Sequence, residues 1–172
     1  PKLGSASVSD INYLAQAIKN AVLPVFLLGN GASSEAVTQS IRQILEHVKL
    51  PVVETFQGAG IVSRDLEEDT FFGRVGLFRN QPGDMLLKKS DLIIAIGYDP
   101  IEYEARNWNA EISARIIVID VEPADVDTYF QPERELIGNV EATLDLLLPA
   151  IQGYQLPEGS VEYLKGLKDT VV

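Results

Sequence analysis

The chain has 172 residues, 46% of them apolar and 23% charged, with 14 basic against 25 acidic side chains and a formal net charge of −11. That length suits one domain with a full core, and the acidic balance lacks the basic footprint with which a nucleic-acid binder displaces counterions. The absence of cysteine and the presence of a single histidine exclude thiol nucleophiles, disulfides, zinc clusters and iron–sulfur sites.

No apolar run approaches the length of a membrane span, so no membrane role is expected. The first residues, Pro1 to Asp10, contain no apolar signal region and do not start with Met. They read as a cut inside a longer protein, or a processed end, rather than as a signal peptide.

In chain order, Ser9 or Asp10 is expected to cap a helix running to about Ala21, with Ile11, Leu14, Ala15 and Ile18 on one face. Pro24-Val-Phe-Leu-Leu-Gly29 is a continuous apolar run that suits a strand covered on both faces. After the turn Asn30-Gly31-Ala32-Ser33, Ser34 or its neighbour caps a second helix striped by Val37, Ile41, Ile44, Leu45 and Val48. His47 falls among that helix's polar positions, off the stripe, which argues against a Ser-His-Asp triad. Pro51-Val-Val-Glu-Thr-Phe56 reads as the second strand and Asp91-Leu-Ile-Ile-Ala-Ile-Gly97 as the third. The crossover between them is long enough to hold hidden structure, and the best candidate is a helix that starts near Pro82 and carries Met85, Leu86 and Leu87. Arg115-Ile-Ile-Val-Ile-Asp120 is a fourth strand and Glu135-Leu-Ile-Gly138 a short fifth. Asn139 caps a last helix with Val140, Leu144, Leu147, Leu148 and Ile151 on one face.

Apolar strands alternating with amphipathic helices predict an α/β fold: a doubly wound, Rossmann-like, mainly parallel sheet of five to six strands with helices on both faces. Residues 1–9 are expected to be a linker, 10–152 the central domain, and 153–172 a polar tail, weakly helical in pattern, leading toward a further domain. In such sheets ligands settle beyond the carboxyl ends of the strands. Gly29-Asn30-Gly31, Glu54 to Gly60, Gly97-Tyr98-Asp99 and Asp120-Val121-Glu122 should therefore line any site.

Gly29-Asn-Gly-Ala-Ser-Ser34 partly matches a dinucleotide fingerprint, in which glycines let the backbone approach a pyrophosphate. Ser34 replaces the third glycine, and a tight turn without ligand explains the same residues. Asp120 and Glu122 are placed either to accept hydrogen bonds from the hydroxyls of a sugar or ribityl chain or to cap the turn at Pro123. Arg74, Phe78, Arg79, Asn80 and Gln81 form a polar, aromatic cluster in the crossover, where arginines either bind anions or make surface ion pairs. Tyr98 to Asn109 holds the only Trp, two Tyr and three acids; it is either a contact surface or a loop packing Trp108 and Tyr103 on the sheet.

Five segments in order resemble the acetolactate synthases, a family of thiamine-diphosphate-dependent enzymes, over a middle domain from about Ile11 to Leu148. They are Pro24-Val-Phe-Leu-Leu-Gly-Asn-Gly, Pro51-Val-Val-Glu-Thr, Gly73-Arg-Val-Gly-Leu-Phe-Arg-Asn-Gln, Asp91-Leu-Ile-Ile-Ala-Ile-Gly and Ile117-Val-Ile-Asp-Val-Glu-Pro-Ala. Flavin-dependent biosynthetic members carry an Arg-Phe-Asp-Asp-Arg type sequence after the third strand. Here Tyr98-Asp-Pro-Ile-Glu-Tyr-Glu is similar to the catabolic, flavin-independent branch, so FAD is not expected.

The resemblance implies a cytoplasmic, homo-oligomeric parent enzyme, dimer or tetramer, that condenses two pyruvates to 2-acetolactate with loss of carbon dioxide. Thiamine diphosphate and Mg²⁺ would be bound by flanking domains of the same chain, because no Gly-Asp-Gly segment occurs here. It assigns this chain no catalytic residue, no metal ligand and no cofactor of its own. Gly29, Asn30, Gly31, Gly97, Tyr98, Asp120 and Glu122 would line a vestigial nucleotide cleft. Arg74, Phe78, Arg79, Asn80 and Gln81 would face the active-site entrance or an interface, with Phe71, Phe72 and Phe78 exposed for it. The alternatives are a free-standing FAD- or NAD-binding module, resting on the Gly29 turn and Glu54, and a pure interaction module.

Overall fold

The computed structural model describes residues 3–55, 70–75 and 82–169. The first helix, α1 (Val8–Asn20), is capped by the Ser7 hydroxyl, which accepts the Asp10 N–H, so the cap falls before Ser9 and Asp10. β1 (Pro24–Leu28) leads through a turn of 3₁₀ helix at Asn30–Ala32 into α2 (Glu35–His47), capped as expected by Ser34. β2 (Val52–Glu54), β3 (Phe71–Arg74) and α3 (Pro82–Lys89) follow. Then come β4 (Leu92–Ile96), β5 (Arg115–Asp120), β6 (Arg134–Ile137), α4 (Val140–Ile151) and α5 (Glu158–Lys168).

The six strands are all parallel, in the order β3-β2-β1-β4-β5-β6. The sequence reading lacks β3. Its four residues sit at the edge of the described sheet, pair among the described residues with β2 alone in an irregular register, and include Gly73 at φ +91°, so no strand periodicity develops.

Alternation along the strands divides the core into two layers. Phe26, Leu28, Leu92, Ile94, Ile96, Ile117 and Ile119 face α1, α2 and α4. Val25, Leu27, Ile93, Ala95, Ile116 and Val118 face α3, α5 and the loops that follow β4 and β5. Ile41, Ile44 and Leu45 of the α2 stripe are fully buried, and His47 sits on its exposed side with Nδ1 2.9 Å from the Gln43 carbonyl.

Two expectations change here. The polar tail, weakly helical in pattern, forms a helix that docks on the domain: α5 buries Leu164 and Leu167 in the second layer, donates the Ser160 hydroxyl to the Val22 carbonyl and the Lys168 ammonium to the Phe71 carbonyl. Its two leucines, spaced by one turn, need a partner surface that only the folded sheet supplies. Phe72 is buried rather than exposed, with the Lys168 ammonium 4.7 Å above its ring.

Candidate functional site

The chain crosses the sheet in both directions from β1, so β1 and β4 flank the switch point where a doubly wound sheet opens its ligand crevice. Gly29, Asn30, Gly31, Gly97 and Tyr98 do come together there, but backbone against backbone. Gly29 N–H donates to the Ile96 carbonyl at 2.9 Å, and Gly31 N–H donates to the Gly97 carbonyl at 2.8 Å. A Cβ on Gly29 would lie 2.3 Å from the Tyr98 Cα, and one on Gly31 would lie 2.9 Å from the Gly97 Cα. These glycines bring two turns of the same chain into contact, the role a pyrophosphate would otherwise require of them.

A carboxylate completes the seam. Glu102 Oε1 accepts the Asn30 N–H at 2.7 Å and the Thr55 hydroxyl at 2.7 Å, while Oε2 accepts the Asp99 N–H at 2.9 Å. The turn from Asp99 to Glu102, closed by a 2.9 Å bond from the Glu102 N–H to the Asp99 carbonyl, aims the side chain inward. Sequence reasoning placed Glu102 only within an acidic, aromatic stretch. Nothing in the order of residues says which of its acids reaches across to β1 and β2.

The Tyr98 side chain turns away from the seam into the second core layer. Its ring centroid lies 5.3 Å from Phe130 and 6.3 Å from Trp108, its hydroxyl donates to the Tyr103 carbonyl, and burial raises its pKa. Trp108 is buried beside it, and Tyr103 donates its hydroxyl to Asp84 Oδ1 at 2.6 Å. Between the two readings of this segment, the structure takes the one in which Trp108 and Tyr103 pack on the sheet.

Asp120 and Glu122 sit beyond β5. Asp120 Oδ1 accepts the Val121 N–H at 2.7 Å, and burial raises its pKa, with the Glu122, Asp99 and Glu102 charges adding to the effect. Glu122 is exposed. Glu54, which ends β2, is buried. Arg74 closes β3, whereas Phe78, Arg79, Asn80 and Gln81 lie outside the described residues.

Among the described residues no group of three or more His, Asp and Glu side chains is placed to hold a metal ion, and no helix is long and apolar enough to cross a membrane. A groove of about 680 Å³ lined by His47, Lys49, Phe72, Tyr154 and Lys165 lies toward the amino ends of β2 and β3, away from the switch point. The sheet topology directs ligands to the opposite end, where the Gly29–Gly31 and Gly97–Tyr98 turns and Glu102 meet.

Strand order, layers and seam define a doubly wound parallel α/β domain whose Gly29–Gly31 and Gly97–Tyr98 turns meet at the switch point. Residues 11–147 match the family model described as "Thiamine pyrophosphate enzyme, central domain", and the chain belongs to that family. It is 49% identical over 146 residues to "Acetolactate synthase" of Bacillus subtilis (strain 168), an alignment covering 84% of this chain and 25% of that protein. It is 40% identical over 152 residues to "Acetolactate synthase, catabolic" of Raoultella terrigena, covering 88% of this chain and 27% of that protein. Identity falls to 26% over 152 residues with "Probable acetolactate synthase large subunit" of Methanocaldococcus jannaschii, covering 87% and 25%. The chain thus spans about a quarter of the length of the curated relatives it matches.

Proposed function

We propose that this chain is the central, non-catalytic domain of a catabolic acetolactate synthase. The parent enzyme would condense two pyruvates to 2-acetolactate and carbon dioxide with thiamine diphosphate and Mg²⁺ held by flanking domains of the same polypeptide. The domain's part is to space those flanking domains and to supply loops to subunit contacts in a cytoplasmic homo-oligomer. The observation that carries this reading is the 49% identity with the Bacillus subtilis acetolactate synthase across 84% of the chain. The seam at Gly29, Gly31 and Gly97 supports the absence of a flavin requirement, because the backbone itself occupies the approach a dinucleotide would need.

Within this reading Arg74, Phe78, Arg79, Asn80 and Gln81 face the active-site entrance or a domain interface, and Asp120 and Glu122 border a cleft that has lost its nucleotide. The test is the full-length protein supplied with pyruvate, thiamine diphosphate and Mg²⁺ and no flavin. Acetolactate formation that is unchanged by added FAD is expected. No acetolactate overturns the activity, and strict dependence on FAD moves the protein to the biosynthetic branch. In the active protein, Arg79→Ala is expected to raise the KM for pyruvate with little change in thermal stability.

A further inference from the structure

We infer that Glu102 is a built-in occupant of the switch-point crevice, a carboxylate of the chain seated where the phosphoryl group of a nucleotide would be received. The crevice lies between β1 and β4, where the strand order reverses, and this is where doubly wound sheets take phosphorylated ligands. Three donors from three separate segments converge there: the Asn30 N–H after β1, the Thr55 hydroxyl after β2, and the Asp99 N–H after β4. Charge-assisted bonds of this kind, backbone N–H and hydroxyl to an oxyanion, are the ones a phosphoryl group would make. All three are taken by the two oxygens of one side chain. The occupant is supplied by a turn only a few residues beyond β4, so it is present at a local concentration that a free ligand cannot match.

Specificity then comes from exclusion. A phosphorylated ligand must displace Glu102, leave its charge beside Asp99 and Asp120, and recover the same three donors. This inference rests on the hydrogen-bond geometry and stands whether or not the parent enzyme is an acetolactate synthase.

The test is calorimetric titration of the 172-residue chain and of Glu102→Ala with ADP and, separately, with inorganic pyrophosphate, alongside thermal unfolding of each protein. The parent chain is expected to show no saturable binding of either, and the folded variant to bind both saturably, at least about tenfold more tightly than the weakest affinity the titration detects. Glu102→Ser, which leaves a hydroxyl near Thr55, is the companion variant, and whichever of the two folds decides the outcome. Saturable ADP or pyrophosphate binding by the parent overturns the inference, and so does a folded variant that binds neither. If neither variant folds, Glu102 is a structural clamp rather than an occupant, and the inference fails.

Discussion

The carbonyl oxygen of Gly97 accepts the Gly31 N–H at 2.8 Å, and a Cβ built on Gly97 would lie 2.4 Å from the Gly31 carbonyl carbon. Gly97 also holds φ +58°, in the left-handed region. Gly97→Ala therefore meets two independent penalties, a backbone clash that no side-chain rotamer relieves and a strained φ. The expected loss is about 3 kcal/mol, read as a lower denaturation midpoint with unchanged slope. Gly159→Ala is the control: nothing lies within 4 Å of its Cβ, it sits inside α5, and it is expected to stabilise slightly.

Acid stability should depend on Glu133. Both its oxygens accept from Arg115, at 2.6 and 2.7 Å, and the Tyr13 hydroxyl donates to Oε2. The hydrogen-bonded guanidinium holds the carboxyl below its ordinary value. Because the folded value is the lower one, this contribution is fully present above the ordinary glutamate pKa of about 4.3 and is lost as pH falls through the folded value. The pair is half exposed, which limits it to about 1 kcal/mol at neutral pH. Chemical denaturation of Glu133→Gln should show that loss near pH 7 and converge on the parent in strong acid.

The tail helix should behave as part of the domain. Leu164 and Leu167 are buried, Ser160 is bonded to Val22, and the Lys89 ammonium lies 5.7 Å over the Tyr163 ring. Leu167→Ala is expected to cost about 2–4 kcal/mol in thermal or urea unfolding. A solvent-exposed tail would lose nothing.

Ile112 has φ 53° while its side chain is 55% exposed. A β-branched residue is strained there, and little packing is lost on replacement. Its neighbour Asn109 holds the turn by accepting the Ser113 and Ala114 N–H groups at 3.2 Å and donating to the Tyr129 carbonyl at 2.8 Å. Ile112→Asn is expected to raise stability by about 1 kcal/mol, measured as a higher Tm.

The resemblance in sequence also covers the part of the domain that local physics makes legible. Strands buried on both faces, such as Leu92–Ile96 and Arg115–Asp120, are continuous apolar runs, and the stripes of α2 and α4 repeat at helical spacing, so each declares itself within a short window. Ser34 and Asn139 mark their helix starts because an N-cap acts within one turn. β3 and the docking of α5 escape such reading, since a four-residue edge strand and a helix with two buried leucines acquire meaning only from the surfaces they meet.

From its order of residues alone, this protein is a parallel α/β domain with glycine-rich turns at the carboxyl ends of its strands. That those glycines meet each other's backbone was decided in three dimensions. Gly29 and Gly31 touch Gly97 and Tyr98, and Glu102 reaches Asn30 and Thr55, across separations that no local pattern encodes. A fingerprint records that the backbone must come close to something at that turn. The identity of its neighbour is a property of the folded chain, because strand order and the loop after β4 bring the two segments together.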